Sequence, residues 1–179
     1  PEIIIGDVQV LPTILTGDLE DVKLSLTLEN IGEGDANYLL TQLNLPTGFT
    51  SSSSYSDRAN LGIIKQGESK QAVFFIDTDK FLPSGLYQGT LLLDYEDESG
   101  SKLSQPVNFD LPVKGKPLFN VVNVKTSPKE VIPGSSVQLG ITLQNIGSEK
   151  GQETSIRVFE NSDLPFSFDE KTNFIGTLK

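Results

Sequence analysis

Carboxylates carry most of the chemistry this chain has to offer. It contains no Cys, His, Met or Trp. Thiolate and imidazole metal ligands, cysteine nucleophiles and histidine-based triads are therefore excluded. Asp and Glu number 24 against 14 Lys and Arg, for a net charge of −10. A nucleic-acid backbone would be repelled by that balance. Six acids, Glu33, Asp35, Glu68, Glu96, Asp97 and Glu98, stand in three turns that a two-sheet sandwich can bring to one end. Several hard oxygens are what Ca²⁺ requires, so these six are the candidate calcium ligands. Their spacing does not follow an EF-hand loop. The plainer reading makes them solvated turn residues that keep the surface soluble. No other cofactor is expected.

Other groupings carry less. Asp77 and Asp79, beside Lys80, are expected just after a strand. Paired carboxylates serve as acid and base in glycoside hydrolysis. These two lie two residues apart with no aromatic platform near them, and a polar turn explains them better. The tyrosines are Tyr38, Tyr55, Tyr87 and Tyr95. Tyr87, shortly after Pro83-Ser84-Gly85, is placed for a tyrosine corner, its hydroxyl bonded back to that turn. The segment Thr50–Asp57 (TSSSSYSD) reads as a polar crossover loop, open to O-glycan or contact roles. Gly32-x-Gly34 joins two strands with no helix after it, so it cannot cradle a phosphate. No catalytic residues are assigned.

The elements that must position these residues read as strands. Val22, Leu24, Leu26 and Leu28 alternate with Lys23, Ser25, Thr27 and Glu29, the period-2 pattern of a half-buried strand. Ala72–Asp77, Leu86–Tyr95, Ile3–Val10, Asn37–Leu43 and Leu103–Val113 give further strands. Gly89 marks a bulge or a point of close packing. Leu39, Leu40 and Leu43 could seed one helical turn, which Asn44-Leu45-Pro46 would stop. Short strands with turn chemistry between them form the pattern of an immunoglobulin-like sandwich. The antibody cysteines and tryptophan are absent, so only the architecture is implied.

The pattern occurs twice. Val22–Gly34 (VKLSLTLENIGEG) returns as Val137–Gly151 (VQLGITLQNIGSEKG), with Asn30-Ile31-Gly32 matched by Asn145-Ile146-Gly147. Leu61–Lys65 returns as Ile175–Lys179, and Leu45-Pro46 as Leu164-Pro165 after a small insertion. The fold class is all-β: tandem immunoglobulin-like antiparallel sandwiches, the second incomplete. The domains are 1–113 and 117–179, with 114–116 as linker. The second copy stops three strands short, which leaves Val137, Leu139, Ile141, Leu143, Ile156, Val158 and Phe168 without a facing sheet. Either the polypeptide continues beyond Lys179 or another chain supplies strands by pairing, and the first is preferred. Pro1 is not an initiator Met, so targeting information is expected upstream.

The strings Val22-x-Leu24-x-Leu26, Asn30-x-Gly32, Leu45-Pro46-x-Gly48, Leu61-Gly62-x-Ile64, Gly67-Glu68-Ser69 and Gly85-x-Tyr87-x-Gly89, with Tyr95, Asp97 and Gly100, resemble archaeal S-layer-like repeats. They are also similar to the CARDB (cell-adhesion-related) class. The resemblance implies an extracellular, cell-surface protein, membrane-anchored through a segment outside this chain. Its partners would be other domains of the same polypeptide or envelope proteins. The expected role is a non-catalytic spacer and protein-interaction module. The alternative is an accessory region of a large extracellular protease or glycosidase. A calcium-rigidified adhesin and a pilus-type chaperone are weaker options.

Overall fold

The alternation seen in Val22–Asn30 needs a strand on either side of it and an apolar layer beneath it, and the fold supplies both. The computed structural model describes the chain apart from Leu164, Glu170 and Lys171, so the expected match of Leu45 to Leu164 lies outside the described residues. Among the described residues all regular elements are strands, and no helix is long and apolar enough to cross a membrane. The chain divides into two units, Pro1–Lys114 and Gly115–Lys179.

In the first unit the strands are β1 (Ile3–Leu11), β2 (Val22–Asn30), β3 (Ala36–Asn44), β4 (Phe49–Ser51), β5 (Arg58–Ile64), β6 (Ser69–Thr78), β7 (Gly85–Glu96) and β8 (Lys102–Val113). They form two four-stranded sheets, ordered β1-β2-β6-β4 and β5-β3-β7-β8, with every strand pair antiparallel. Leu15 adds one parallel bridge to Val113, so the chain after β1 leaves the first sheet and touches the second. This is the two-sheet order of an immunoglobulin-like sandwich, with β6 beside β2 and β7 beside β3. Leu24, Leu26, Leu28, Phe74 and Ile76 from one sheet and Leu39, Leu43, Leu91, Leu93 and Leu111 from the other fill the layer between them. Each such buried side chain is worth ~1.5–3 kcal/mol.

Three local expectations change. Leu39, Leu40 and Leu43 lie in β3, not in a helical turn, because neighbours on both sides hydrogen-bond that strand. Thr50 and Ser51 belong to the short strand β4, and only the rest of the serine-rich segment is turn. Asp77 sits inside β6 instead of after it. Gly89 is a close-packing point and not a bulge. Its pairing with Phe109 is in continuous register, and a β-carbon there would run into the Phe109 ring.

Among its described residues the second unit has four strands, β9 (Phe119–Ser127), β10 (Gln138–Asn145), β11 (Gly151–Arg157) and β12 (Thr172–Leu178). They form two separate antiparallel pairs, β9-β10 and β11-β12. The pairing repeats that of the first unit residue for residue. Ile3↔Asn30 and Leu11↔Lys23 return as Phe119↔Asn145 and Ser127↔Gln138, and the irregularity around Gly6 returns around Val122. Ala36↔Ile64 and Gln42↔Arg58 return as Gly151↔Leu178 and Arg157↔Thr172. Even the left-handed residue of the β3 irregularity, Tyr38 (φ 54°), has its counterpart in Glu153 (φ 51°). The second unit thus holds counterparts of β1, β2, β3 and β5. Among the described residues, β4, β6, β7 and β8 have none.

Candidate functional site

Asn30 ends β2, where the strand must hand the chain to β3 in the other sheet. Its side chain is buried and uses all four of its hydrogen-bonding positions. Oδ1 accepts from the Glu2 amide at 3.2 Å and the Gly32 amide at 3.2 Å. Nδ2 donates to the Gly34 carbonyl at 2.8 Å and the Ile64 carbonyl at 3.0 Å. One amide therefore ties together the starts of β1 and β3 and the end of β5. Gly32 is required because a β-carbon would strike the backbone of Pro1 and Glu2. Asn145 repeats the arrangement. It accepts from Leu118 and Gly147 at 3.1 and 3.0 Å and donates to Glu149 and Leu178 at 2.7 and 3.5 Å. Sequence reasoning found Asn30-Ile31-Gly32 only as part of the repeat. The signal for its role was that Asn and Gly recur while Glu33 gives way to Ser148.

The expected calcium ligands surround this node. Three turns meet there, and Asp35 is the meeting point. The Asp35 amide donates to Glu98 Oε1 at 3.1 Å, and Asp35 Oδ1 accepts from the Gln66 amide at 3.0 Å. Glu68 accepts from the Lys65 amide at 3.2 Å, closing its own turn. Asp97 Oδ1 accepts the Ser99 amide at 2.8 Å, the Ser99 hydroxyl at 2.6 Å and the Ser101 amide at 2.9 Å. The Ser99 hydroxyl, followed by the Ser101 amide, holds the Asp97 carboxyl below the usual range. Glu33 is exposed and Glu96 half-buried, each on the rim of the same end. Among the described residues no group of three or more acids is placed to hold a metal ion.

The opposite end of the first unit holds the second expected grouping. Asp77 Oδ1 accepts from the Asp21 amide at 2.8 Å and the Ser52 hydroxyl at 2.6 Å, which pins both flanking loops. The Asp79 amide donates to the Gly48 carbonyl at 2.9 Å, and Lys80 lies over the Phe81 ring, 5.7 Å from its centre. Tyr87 makes the expected corner, its hydroxyl donating to the Pro83 carbonyl at 3.0 Å. Its ring meets Phe49 edge-on at 5.4 Å. Gly48, Lys80, Phe81, Leu82 and Tyr87 line a shallow, open depression at this end.

No family model matches the chain. The chain is 31% identical over 157 residues to an uncharacterized protein of Methanocaldococcus jannaschii. That match takes in 88% of this chain and 28% of the relative, so the chain spans little more than a quarter of the length of the protein it resembles.

Proposed function

We propose that these residues form a non-catalytic module of a cell-surface or secreted protein, a spacer that also presents surfaces to other proteins. The observation that carries this reading is where the polar side chains are used. Asn30, Asp35, Asp77, Asp97 and Tyr87 each hold backbone of the same unit. Groups used in this way stiffen turns, and stiff turns suit a strut. The duplicated asparagine node extends the same device to the second unit. The motif resemblance to S-layer-like and CARDB repeats supports an envelope setting, and a relative in an archaeon supports an archaeal one. Partners would be neighbouring domains of the polypeptide or envelope proteins.

Two measurements test the proposal. Antibody against residues 1–179 should label intact cells, and external protease should remove the epitope. A signal that appears only after lysis would refute the surface role. Replacing the segment with an unrelated rigid tandem of equal length should then preserve the parent protein's function if spacing is the main contribution.

A second reading has one observation in its favour. The relative is more than three times as long as the stretch matched here. That length leaves room for a catalytic domain, and these residues would then be its accessory region. Activity that survives deletion of the segment but loses its surface attachment or substrate reach favours this reading over a free-standing strut.

A further inference from the structure

The inner face of a sandwich sheet is apolar because it fills the core, but the outer face has no such need. On the outer face of β5-β3-β7-β8, Tyr38, Leu40 and Ile63 stand 71%, 51% and 45% exposed. They adjoin one another. Tyr38 and Ile63 both lie in the slip between Ala36↔Ile64 and Leu39↔Gly62, and Leu40 follows on β3. The second unit supplies an internal comparison. Its β11-β12 pair repeats the slip, and Glu153 repeats the left-handed backbone of Tyr38. Yet the three positions there hold Glu153, Ser155 and Thr177, while the inward Ile64 stays apolar as Leu178. Neither the slip nor the strand pairing therefore requires apolar side chains at these positions.

We propose that this outer face is the contact between two copies of the chain, packed face to face about a two-fold axis along β3. Charge favours that occupant. The chain carries a net −10, yet the middle of the face holds one charge of each sign. Arg58 lies on β5 opposite Gln42, and Asp94 lies on β7 opposite Leu40. Among the described residues neither side chain has a hydrogen-bond or ion-pair partner. The axis lays β5 of one copy over β7 of the other, so Arg58 meets the second copy's Asp94 twice. Asn60, Leu92, Ser104 and Pro106 continue the same rows without charge. Few charges around exposed aromatic and aliphatic side chains is the composition of an interface centre. Size agrees as well. Four strands ~4.8 Å apart and about eight residues long cover roughly 500 Å² in projection, and upright side chains bring the accessible area towards the ~800 Å² per partner of a standard interface. A peptide strand added to the β5 edge fits less well, because that edge is already engaged. The Gly62 amide donates to Asn60 Oδ1 at 3.0 Å, and the Leu61 carbonyl accepts from Lys70 Nζ at 2.9 Å. The inference rests on the face itself and holds whether or not the module serves as a spacer.

Sedimentation equilibrium of the 179-residue chain tests the proposal. A monomer–dimer equilibrium with a Kd of about 10 µM or tighter is expected. Tyr38→Glu, Leu40→Ser and Ile63→Thr together install the residues that the second unit carries at these positions. They should weaken the dimer by about a hundredfold or more, with far-ultraviolet dichroism unchanged. Arg58→Asp should weaken it about tenfold, and adding Asp94→Arg to the same chain should restore it. A chain that stays monomeric up to about 0.5 mM overturns the proposal. Association that survives the triple substitution also overturns it, because the contact then lies on another surface. So does a charge-reversed pair that fails to recover. Should the triple variant misfold, the exchange of Arg58 and Asp94 decides alone.

Discussion

Replacing Asn30 by alanine should cost the first unit about 2.5–6 kcal/mol. The figure follows from four hydrogen bonds with unequal surroundings. The bond to the Ile64 carbonyl is buried, so its loss strands an acceptor, at ~1–3 kcal/mol. The bonds to Glu2, Gly32 and Gly34 are part-buried, and water can replace the amide there, so each counts ~0.5–1 kcal/mol. Urea unfolding followed by tyrosine fluorescence or near-ultraviolet dichroism is the suitable assay. All four tyrosines, at positions 38, 55, 87 and 95, lie in the first unit, so the signal reports that unit alone. With a urea slope of ~1–3 kcal/mol per molar, the midpoint should fall by more than about 1 M. Asn145→Ala provides the control, because its node lies wholly in the second unit and should leave the tyrosine transition in place. A loss below about 1 kcal/mol for Asn30→Ala would refute the idea that this amide ties the strand ends together.

Gly89→Ala forces a methyl group into the ring of Phe109, which is itself buried, and should cost ~1–3 kcal/mol by urea unfolding. Phe109→Leu in the same chain should recover part of that loss, and a simple sum of the two costs would refute the packing argument. Tyr87→Phe removes an exposed hydrogen bond to Pro83 and should cost about 0.5 kcal/mol in the same assay, with the contact to Phe49 preserved. Asp97 has a folded-state pKa below its unfolded value. Its contribution is therefore present above the ordinary carboxylate pKa of about 3.9 and is lost as pH falls through the folded value. Asp97→Asn keeps an acceptor for Ser99 and Ser101 and should flatten that part of the acid limb, and acid titrations identical to the parent's would contradict it.

Alternation exposed the continuous strands most plainly, although β1 and β3 were also read despite slips in their pairing at Gly6 and around Tyr38. Val22–Glu29 and Leu86–Tyr95 were legible because their inward and outward faces never change places. β5 was not, because Gly62 takes a left-handed conformation (φ 69°) and the pairing with β3 slips there. The slip breaks the period that sequence reading depends on. β4 is three residues of Phe-Thr-Ser, too short and polar to carry any pattern. At the acidic end, the convergence of three turns followed from topology. The use of Asp35 and Asp97 as staples did not, because it depends on which backbone amides from other turns reach them.

The spacing between the two copies bears on what the second one is built to do. From β1 to β9 matched residues are 116 apart (Ile3 to Phe119). From β2 to β10 the separation is 115 (Asn30 to Asn145), and from β5 to β12 it is 114 (Ile64 to Leu178). Each change falls in a connection, between β1 and β2 or between β3 and β5, and none falls inside a strand. A one-residue slip within a strand would turn its core-facing side chains outward, so constant spacing inside strands marks a sequence organised around a buried face. Leu139, Ile141 and Leu143 keep the phase of Leu24, Leu26 and Leu28, yet Leu139 is 42% exposed. The pattern that makes the first unit a sandwich is thus repeated in the second, strand by strand and in the same phase.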